Sequence, residues 1–146
     1  MTADFPGSAS APLSQSDERT WAMFAHLGIL LNLVTAFLGV AVPIVIYFIY
    51  KDRSRYVAYQ AMQAFVFQLV AWVGAGILAG VMFFLGGILS IILIGLLCFP
   101  IAFALLLVPL VALGYGIYGG LKCNEGENFR YWLIGDWVSQ SFVPAP

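Results

Sequence analysis

The sequence predicts an all-α membrane protein with four transmembrane or membrane-embedded helices, arranged as a short first hairpin followed by two longer helices. Two observations lead to this fold class. The chain of 146 residues is 62% hydrophobic and 9% charged, whereas a soluble domain carries about 25% charged residues. Residues 20–50 and 56–121 contain no Asp, Glu, Lys or Arg. Because a span needs about 20 apolar residues, the second of these runs alone is long enough for two or three crossings.

The chain divides into three parts by composition. Residues 1–16 are rich in Ala, Ser and Pro and lack the basic start and short apolar core of a secretory signal, so we expect a disordered cytoplasmic tail. Residues 17–123 are expected to form the helical membrane domain. Residues 124–146 follow as a tail rich in aromatic residues, which we expect to lie at the membrane interface.

The first helix is predicted to begin near Ser16. A serine followed by Asp17 and Glu18 suits the exposed N–H groups and the positive end of a helix. A single helix through residues 20–50 would be about 45 Å long, against a hydrocarbon core of about 30 Å. Two arrangements are therefore open for this run: one long tilted helix, or a hairpin that breaks near residues 35–39.

The second uncharged run divides into two crossings. A helix is predicted from near Tyr56 to about Phe84, with the turn at Gly86 and Gly87 and a last helix over residues 88–121. As helix, the whole run would measure about 99 Å, so two long or tilted crossings fit the bilayer better than three.

The basic residues predict the orientation of these helices. Two crossings separate the basic loop at residues 51–55 from the C-terminal tail, so both lie on one side, and the positive-inside rule makes that side cytoplasmic. With the hairpin, Arg19 lies on the same side, whereas one long first helix would place it outside. This asymmetry favours four segments. The residues that set the topology are Arg19, Lys51, Arg53, Arg55, Lys122 and Arg130.

His26 is the single histidine of the chain and the one candidate for cofactor binding. A histidine in a membrane helix can ligate the metal of a haem or pigment, or relay protons. A haem with two histidine ligands would require a second copy of the chain, and the simpler interpretation is a hydrogen-bonded histidine near a helix end. We favour the hydrogen bond and predict no cofactor. The two cysteines, Cys98 and Cys123, indicate neither a disulfide framework nor a metal site.

Three glutamines share one face of the helix that begins near Tyr56. Gln60, Gln63 and Gln68 fall within an arc of about 140°. Because amides in lipid need hydrogen-bond partners, this polar face and Asn32 are expected to turn toward other helices. The alternative is a polar lining for a pore. We favour interhelical hydrogen bonds, since no charged residue lies deep in any predicted segment.

Two pairs of glycines have the four-residue spacing that permits close approach of helices. They are Gly76 with Gly80 and Gly116 with Gly120. In apolar helices this spacing indicates helix packing rather than a particular partner.

Four segments of the chain resemble the motifs of a known family. They are DERTWAMFAHL at residues 17–27, YKDRS at 50–54, QAMQAFVFQ at 60–68 and KCNEGENFRY at 122–131. Over roughly residues 17–137 the chain resembles a family of small bacterial membrane proteins of unknown function, grouped with the four-helix subunit of the Tic protein-import translocon of the chloroplast inner envelope. The resemblance implies a multi-pass protein of the bacterial inner membrane, with four helices and both termini cytoplasmic.

The chain departs from the pattern of that family at three positions. Gln63 replaces a common Glu, Val66 a common Asn and Trp132 a common Pro. The loss of that acid and that amide weakens the case for a shared functional polar site on the third helix.

The sequence indicates a protein without enzymatic activity. No paired carboxylates, Cys/His metal cluster or Ser/His/Asp set can be assembled within the predicted membrane segments, so no catalytic or metal-binding residue is predicted. A net charge of −1 gives no footprint for nucleic acid. We expect an accessory or structural subunit of a membrane assembly, similar to Tic-like translocon components. Its partners would be the lipid bilayer and other membrane subunits or a second copy of itself.

Two alternatives to the accessory subunit follow from the same residues. One is a small oligomeric channel or translocon-like pore, lined by the glutamine face of the third helix. The other is a subunit that binds a pigment or haem through His26.

Overall fold

The computed structural model describes residues 12–132 and 134–142, and within these ranges the chain is helical and contains no strand. It has five helical segments, which confirms the predicted all-α class. Segment α1 spans residues 15–35 and consists of Gln15–Leu27, a 3-10 turn at Gly28–Leu31 and the short helix Asn32–Thr35. The remaining segments are α2 (Leu38–Tyr50), α3 (Arg55–Ile92), α4 (Ile94–Asn124) and α5 (Ile134–Gln140).

The predicted tails fall partly outside the described residues. Residues 1–11 of the expected N-terminal tail and residues 143–146 at the other end are not described. Of the N-terminal region, residues 15 and 16 already belong to α1. The N-cap of α1 is Ser14, two residues before the predicted start. The Ser14 Oγ accepts a hydrogen bond from the Asp17 backbone N–H at 3.2 Å.

Residues 20–50 form a hairpin rather than one long helix. The chain breaks after Thr35, where Ala36 has a φ of 66°, and α2 returns alongside α1. The break is tight because the backbone N–H of Gly39 donates to the Asn32 Oδ1 at 2.7 Å. A Cβ at Gly39 would lie 2.4 Å from the carbonyl oxygen of Gly28, so only glycine fits at this contact.

Helices α3 and α4 are both long and apolar enough to cross a membrane. With 38 residues, α3 would be about 57 Å long. The predicted turn at Gly86 and Gly87 is wrong, because α3 continues to Ile92 and the chain reverses at Leu93, which has a φ of 63°. Gly86 serves close packing instead: a Cβ there would lie 3.2 Å from the Cβ of Cys98 on α4.

The charged residues of the described chain lie at one end of the helices. At this end the loop between α2 and α3 meets the start of α1, where the Ser54 hydroxyl donates to Glu18 at 2.5 Å. The segment after α4 lies there as well, since the Tyr56 hydroxyl donates to the Glu127 carbonyl oxygen at 3.0 Å. The hairpin packs against this end of α3 and α4, and the far halves of the two long helices pack chiefly on each other.

Candidate functional site

The first part of the candidate site is a buried hydrogen-bond network that joins α1 and α3 to the C-terminal segment. His26 of α1 is fully buried. Its Nδ1 lies 2.9 Å from the Tyr131 hydroxyl, and its Nε2 lies 3.1 Å from the Gln60 Oε1. The Gln60 Nε2 in turn donates to the carbonyl oxygen of Phe129 at 3.1 Å and to the side chain of Asn128 at 3.0 Å. We call this set the His26 network.

The partners of His26 assign its tautomer. Gln60 presents its oxygen to the ring, so Nε2 carries the proton and donates. Burial raises the pKa of the Tyr131 phenol well above its ordinary value, so Tyr131 keeps its proton and donates to Nδ1. The geometry therefore fits a neutral imidazole that donates at one nitrogen and accepts at the other.

Gln63 holds the segment of residues 128–132 in place, and we call this segment the strap. The Gln63 Nε2 donates to the Phe129 carbonyl oxygen at 3.1 Å, and its Oε1 accepts from the Tyr131 backbone N–H at 3.2 Å. The amide thus engages the backbone of two strap residues at once. Phe129 and Tyr131 insert inward and pack against Cys123 of α4, so the strap forms part of the core.

Gln68 and Asn32 form a separate polar contact deeper in the molecule. The Asn32 Nδ2 donates to the Gln68 Oε1 at 3.2 Å, while the Asn32 Oδ1 accepts from Gly39. The Gln68 Nε2 and the indole N–H of Trp72 are buried without a partner among the described residues. Both lie at or next to the π-helical stretch Leu69–Gly74 of α3.

The glycine pairs differ in their surroundings. A Cβ at Gly116 would lie 3.0 Å from Ile29, and one at Gly120 would lie 3.2 Å from Leu27, so both glycines pack against the hairpin. Gly76 and Gly80 have no described atom within 4 Å of the corresponding position.

The basic residues are all at the charged end and have varied partners. Lys122 pairs with Glu125 at 2.9 Å and Glu127 at 3.0 Å, and Arg130 lies 3.5 Å from Asp136. The guanidinium of Arg19 lies against Gly126. The remaining three are in the α2–α3 loop and the start of α3: Lys51 near the ring of Phe48, Arg53 near the ring of Tyr50, and Arg55, which donates to the Phe142 carbonyl oxygen.

The arrangement is suited to holding segments together. Both nitrogens of the His26 ring are hydrogen-bonded, so binding a metal would require breaking one of these contacts. Among the described residues no group of three or more His, Cys, Asp or Glu side chains could hold a metal ion. The site provides hydrogen-bond partners for the buried amides and fixes the strap against α3.

Sequence reasoning found the helix side of this network and missed its other half. Phe129 and Tyr131 lie in a region that we expected to rest on the membrane surface, yet Tyr131 is only 2% exposed. The available signal was that the three glutamines of α3 require hydrogen-bond partners, which the sequence alone does not identify. Trp132, at 80% exposed, does lie on the surface.

The comparisons with known proteins give one match. The sequence model of the MamF/MmsF family, described as the magnetosome magnetite crystal formation protein family, matches residues 17–138, which is more than half of the chain. No curated protein and no solved structure matches. The match is to a small bacterial family, as the resemblance implied, and it gives no support to the Tic-type grouping.

Proposed function

This chain belongs to the magnetosome magnetite crystal formation protein family, and on that premise we propose that it is a non-enzymatic, multi-pass accessory protein of the magnetosome membrane. The single observation that carries the proposal is the family match over residues 17–138, which includes the hairpin, both long helices and the strap. The two long apolar helices support a location in a lipid bilayer.

The charge distribution supports action from one side of that membrane. If the positive-inside rule applies, the charged end is cytoplasmic, as are both termini. The opposite end is formed by the turn at residues 90–97, whereas the hairpin break at residues 35–38 lies part of the way along α3, and neither contains a charged residue. Magnetite on the non-cytoplasmic side would therefore meet no carboxylate among the described residues of this chain. We infer that the protein influences crystal formation through the membrane or through other membrane proteins, and not by direct coordination of the mineral.

The His26 network supports a structural role for the charged end. Together with Gln63, it holds the strap against α3 and so fixes the position of the charged segment 122–130. A rigid surface of this kind suits the docking of another subunit. The experiment below identifies which proteins bind this surface.

The test is a deletion of the gene in its host, complemented by the tagged full-length chain at native expression. We expect the deletion to change the size or number of magnetite crystals under electron microscopy, and the tagged protein to restore them. Extraction in mild detergent, followed by a native gel and mass spectrometry, should give a stoichiometric assembly with other membrane proteins. Unchanged crystals together with a monomer free of partners would overturn the proposal.

Neither alternative function is favoured by a specific observation. A pore lined by glutamines needs a polar path along α3, but Gln60 and Gln63 meet His26 and the strap. A haem site needs a free nitrogen on His26, and both are engaged. We accordingly expect the purified protein to be colourless and inactive in vesicle flux assays.

A further inference from the structure

An apolar groove of about 740 Å³ runs between α3 and α5. Val66 and Val70 of α3 lie on its floor, Trp137 of α5 forms part of its roof, and Tyr47 and Phe142 line it as well. Its volume is within the range of about 300–1,000 Å³ that is typical of ligand sites. Because α3 is long and apolar enough to span a membrane, the deeper part of the groove lies along a membrane helix.

One basic side chain contacts a residue that lines this groove, and a second lies on the adjoining loop. The guanidinium of Arg55 donates to the carbonyl oxygen of Phe142, so it lies where the groove meets the charged end of the molecule. Lys51 lies on the preceding loop, with its ammonium 5.7 Å from the centre of the Phe48 ring, next in sequence to the groove residue Tyr47. Both basic residues are exposed. We call the region of Lys51, Arg55 and Phe142 the mouth of the groove.

The charge at the mouth is positive once the acids are counted. Residues 51–55 contain three basic residues and one acid, Asp52, and one further acid, Glu18 of α1, accepts a hydrogen bond from Ser54 of the same loop. The acid of α5, Asp136, lies 3.5 Å from Arg130 and is largely offset by it. An anionic group at the mouth would therefore meet a net attraction.

We propose that this groove binds one acyl chain of an anionic phospholipid, with the lipid phosphate held by Arg55 and Lys51. The charge at the mouth and the shape of the groove together fit such a lipid. An arginine presents a fork of N–H donors that matches a phosphate, and basic pockets beside membrane helices on the cytoplasmic side are suited to anionic head groups. Trp137, which is 64% exposed, is amphipathic and suited to the head-group level.

Two further apolar cavities serve as a comparison. One lies between α3 and α4 near Phe67 and Leu107, and the other lies on the hairpin near Phe24 and Val45. No basic side chain is among the described residues that line either of them. None of the residues that line the groove under α5 is basic either, but one of them, Phe142, accepts a hydrogen bond from Arg55, and this contact distinguishes the groove. The inference does not depend on a role in magnetite formation.

The test measures lipid binding to the purified full-length chain. Native mass spectrometry and thermal unfolding in detergent are carried out with phosphatidylglycerol and with phosphatidylcholine of identical acyl chains. We expect the anionic lipid to be retained and to raise the unfolding temperature more than the zwitterionic lipid. Inorganic phosphate alone should give no comparable effect, since it lacks the acyl chain.

Variants at the mouth test the head-group contacts. The double variant Lys51→Gln/Arg55→Gln should bind phosphatidylglycerol about tenfold or more weakly, because each basic residue near a membrane surface contributes to the binding of anionic lipids. Lys122→Gln is the matched control, since it removes a basic residue that pairs with Glu125 and Glu127 and takes no part in the charge at the mouth. We expect it to retain the preference for the anionic lipid.

Variants in the groove test the acyl-chain contact. Val70→Trp should fill the groove and abolish retention of the lipid, whereas Ile77→Trp, at a similarly exposed position of α3 outside the groove, should not. Circular dichroism and elution volume establish that each variant is folded. Equal binding of the two lipids, unchanged binding in the mouth variant, an equal effect of phosphate alone, or a crosslink that identifies a second copy in the groove would each overturn the proposal.

Discussion

His26 holds three parts of the chain together with one side chain. Its ring joins α1 to Gln60 of α3 and to Tyr131 of the strap, and it is fully buried. A buried polar group that loses its partner costs about 1–3 kcal/mol, which exceeds the net gain from an average hydrogen bond. The stability of this region therefore depends on a complete network rather than on any single contact.

The first prediction is that His26→Ala destabilises the protein by about 2–3 kcal/mol. The change removes the hydrogen-bond partner of the Tyr131 hydroxyl and one of the two donors to the Gln60 oxygen, and it leaves a cavity. Reversible unfolding in detergent measures the difference. Phe24→Ala, on the same helix at a half-exposed position, is the control and should cost less than about 1 kcal/mol. A smaller loss for His26→Ala than for Phe24→Ala would contradict the structural role of His26.

The second prediction concerns the strap. Gln63→Leu leaves the Tyr131 backbone N–H without its acceptor, whereas the Phe129 carbonyl oxygen keeps the donor from Gln60. The expected cost is about 1–3 kcal/mol, felt mainly by the strap. Amide hydrogen exchange at Tyr131 should become about tenfold faster or more. Met62→Leu is the neighbouring control, and equal exchange rates in the two variants would show that Gln63 does not hold the strap.

At the scale of elements, some glycines lie at close contacts between helices, and others have no close neighbour. Gly39 and Gly86 lie where two backbones come close, and Gly87 has open space around it. Close approach at the hairpin break explains why the chain can reverse within a few residues. At Gly86, where the sequence alone predicted a turn, the helix continues and the missing Cβ lets α4 pack closely on α3.

The third prediction is that Gly39→Ala destabilises the hairpin by about 2 kcal/mol or more. The new Cβ would lie 2.4 Å from the Gly28 carbonyl oxygen and 2.6 Å from the Asn32 Oδ1, and neither atom can move without breaking the turn. Gly87→Ala is the matched control within α3. Nothing described lies within 4 Å of its new Cβ, so the change should be neutral or stabilising by up to about 1 kcal/mol. The comparison requires only thermal unfolding of the two variants, and equal effects would contradict the tight turn.

At the scale of the whole molecule, the sequence predicts the helices better than their contacts. Hydropathy and charge place the long helices because a bilayer requires about 20 apolar residues, whatever those residues touch. The glutamines of α3 could be recognised as inward-facing because amides need partners, but the partner could not be identified. The strap residues Phe129 and Tyr131 look the same in the sequence whether they lie on the membrane or pack inside the protein. Only tertiary contacts distinguish these cases.

The asymmetry between the two ends of the molecule is the basis of the fourth prediction. The charged end includes Asp52 and Glu125, and the turn at Ile91 lies at the uncharged end. The hairpin break at Ala36 lies between the two ends, near the level of Gln68 on α3. Because basic loops of membrane proteins are retained on the cytoplasmic side, we expect the chain to insert with the charged end inside. Single cysteines at these positions, in a variant without the native cysteines, can be labelled from either side of the membrane.

We expect Asp52→Cys and Glu125→Cys to react with an impermeant thiol reagent only from the cytoplasmic side. Ile91→Cys, at a position that is 90% exposed, should react only from the opposite side or be shielded by lipid until detergent is added. Ala36→Cys distinguishes the two views of the hairpin: labelling from the opposite side means that α1 and α2 cross the membrane, and shielding by lipid means that they enter and return. Labelling of Ala36→Cys from the cytoplasmic side would contradict both arrangements of the hairpin. Labelling of Glu125→Cys from the opposite side would place carboxylates on the side of the mineral and overturn the proposed indirect action.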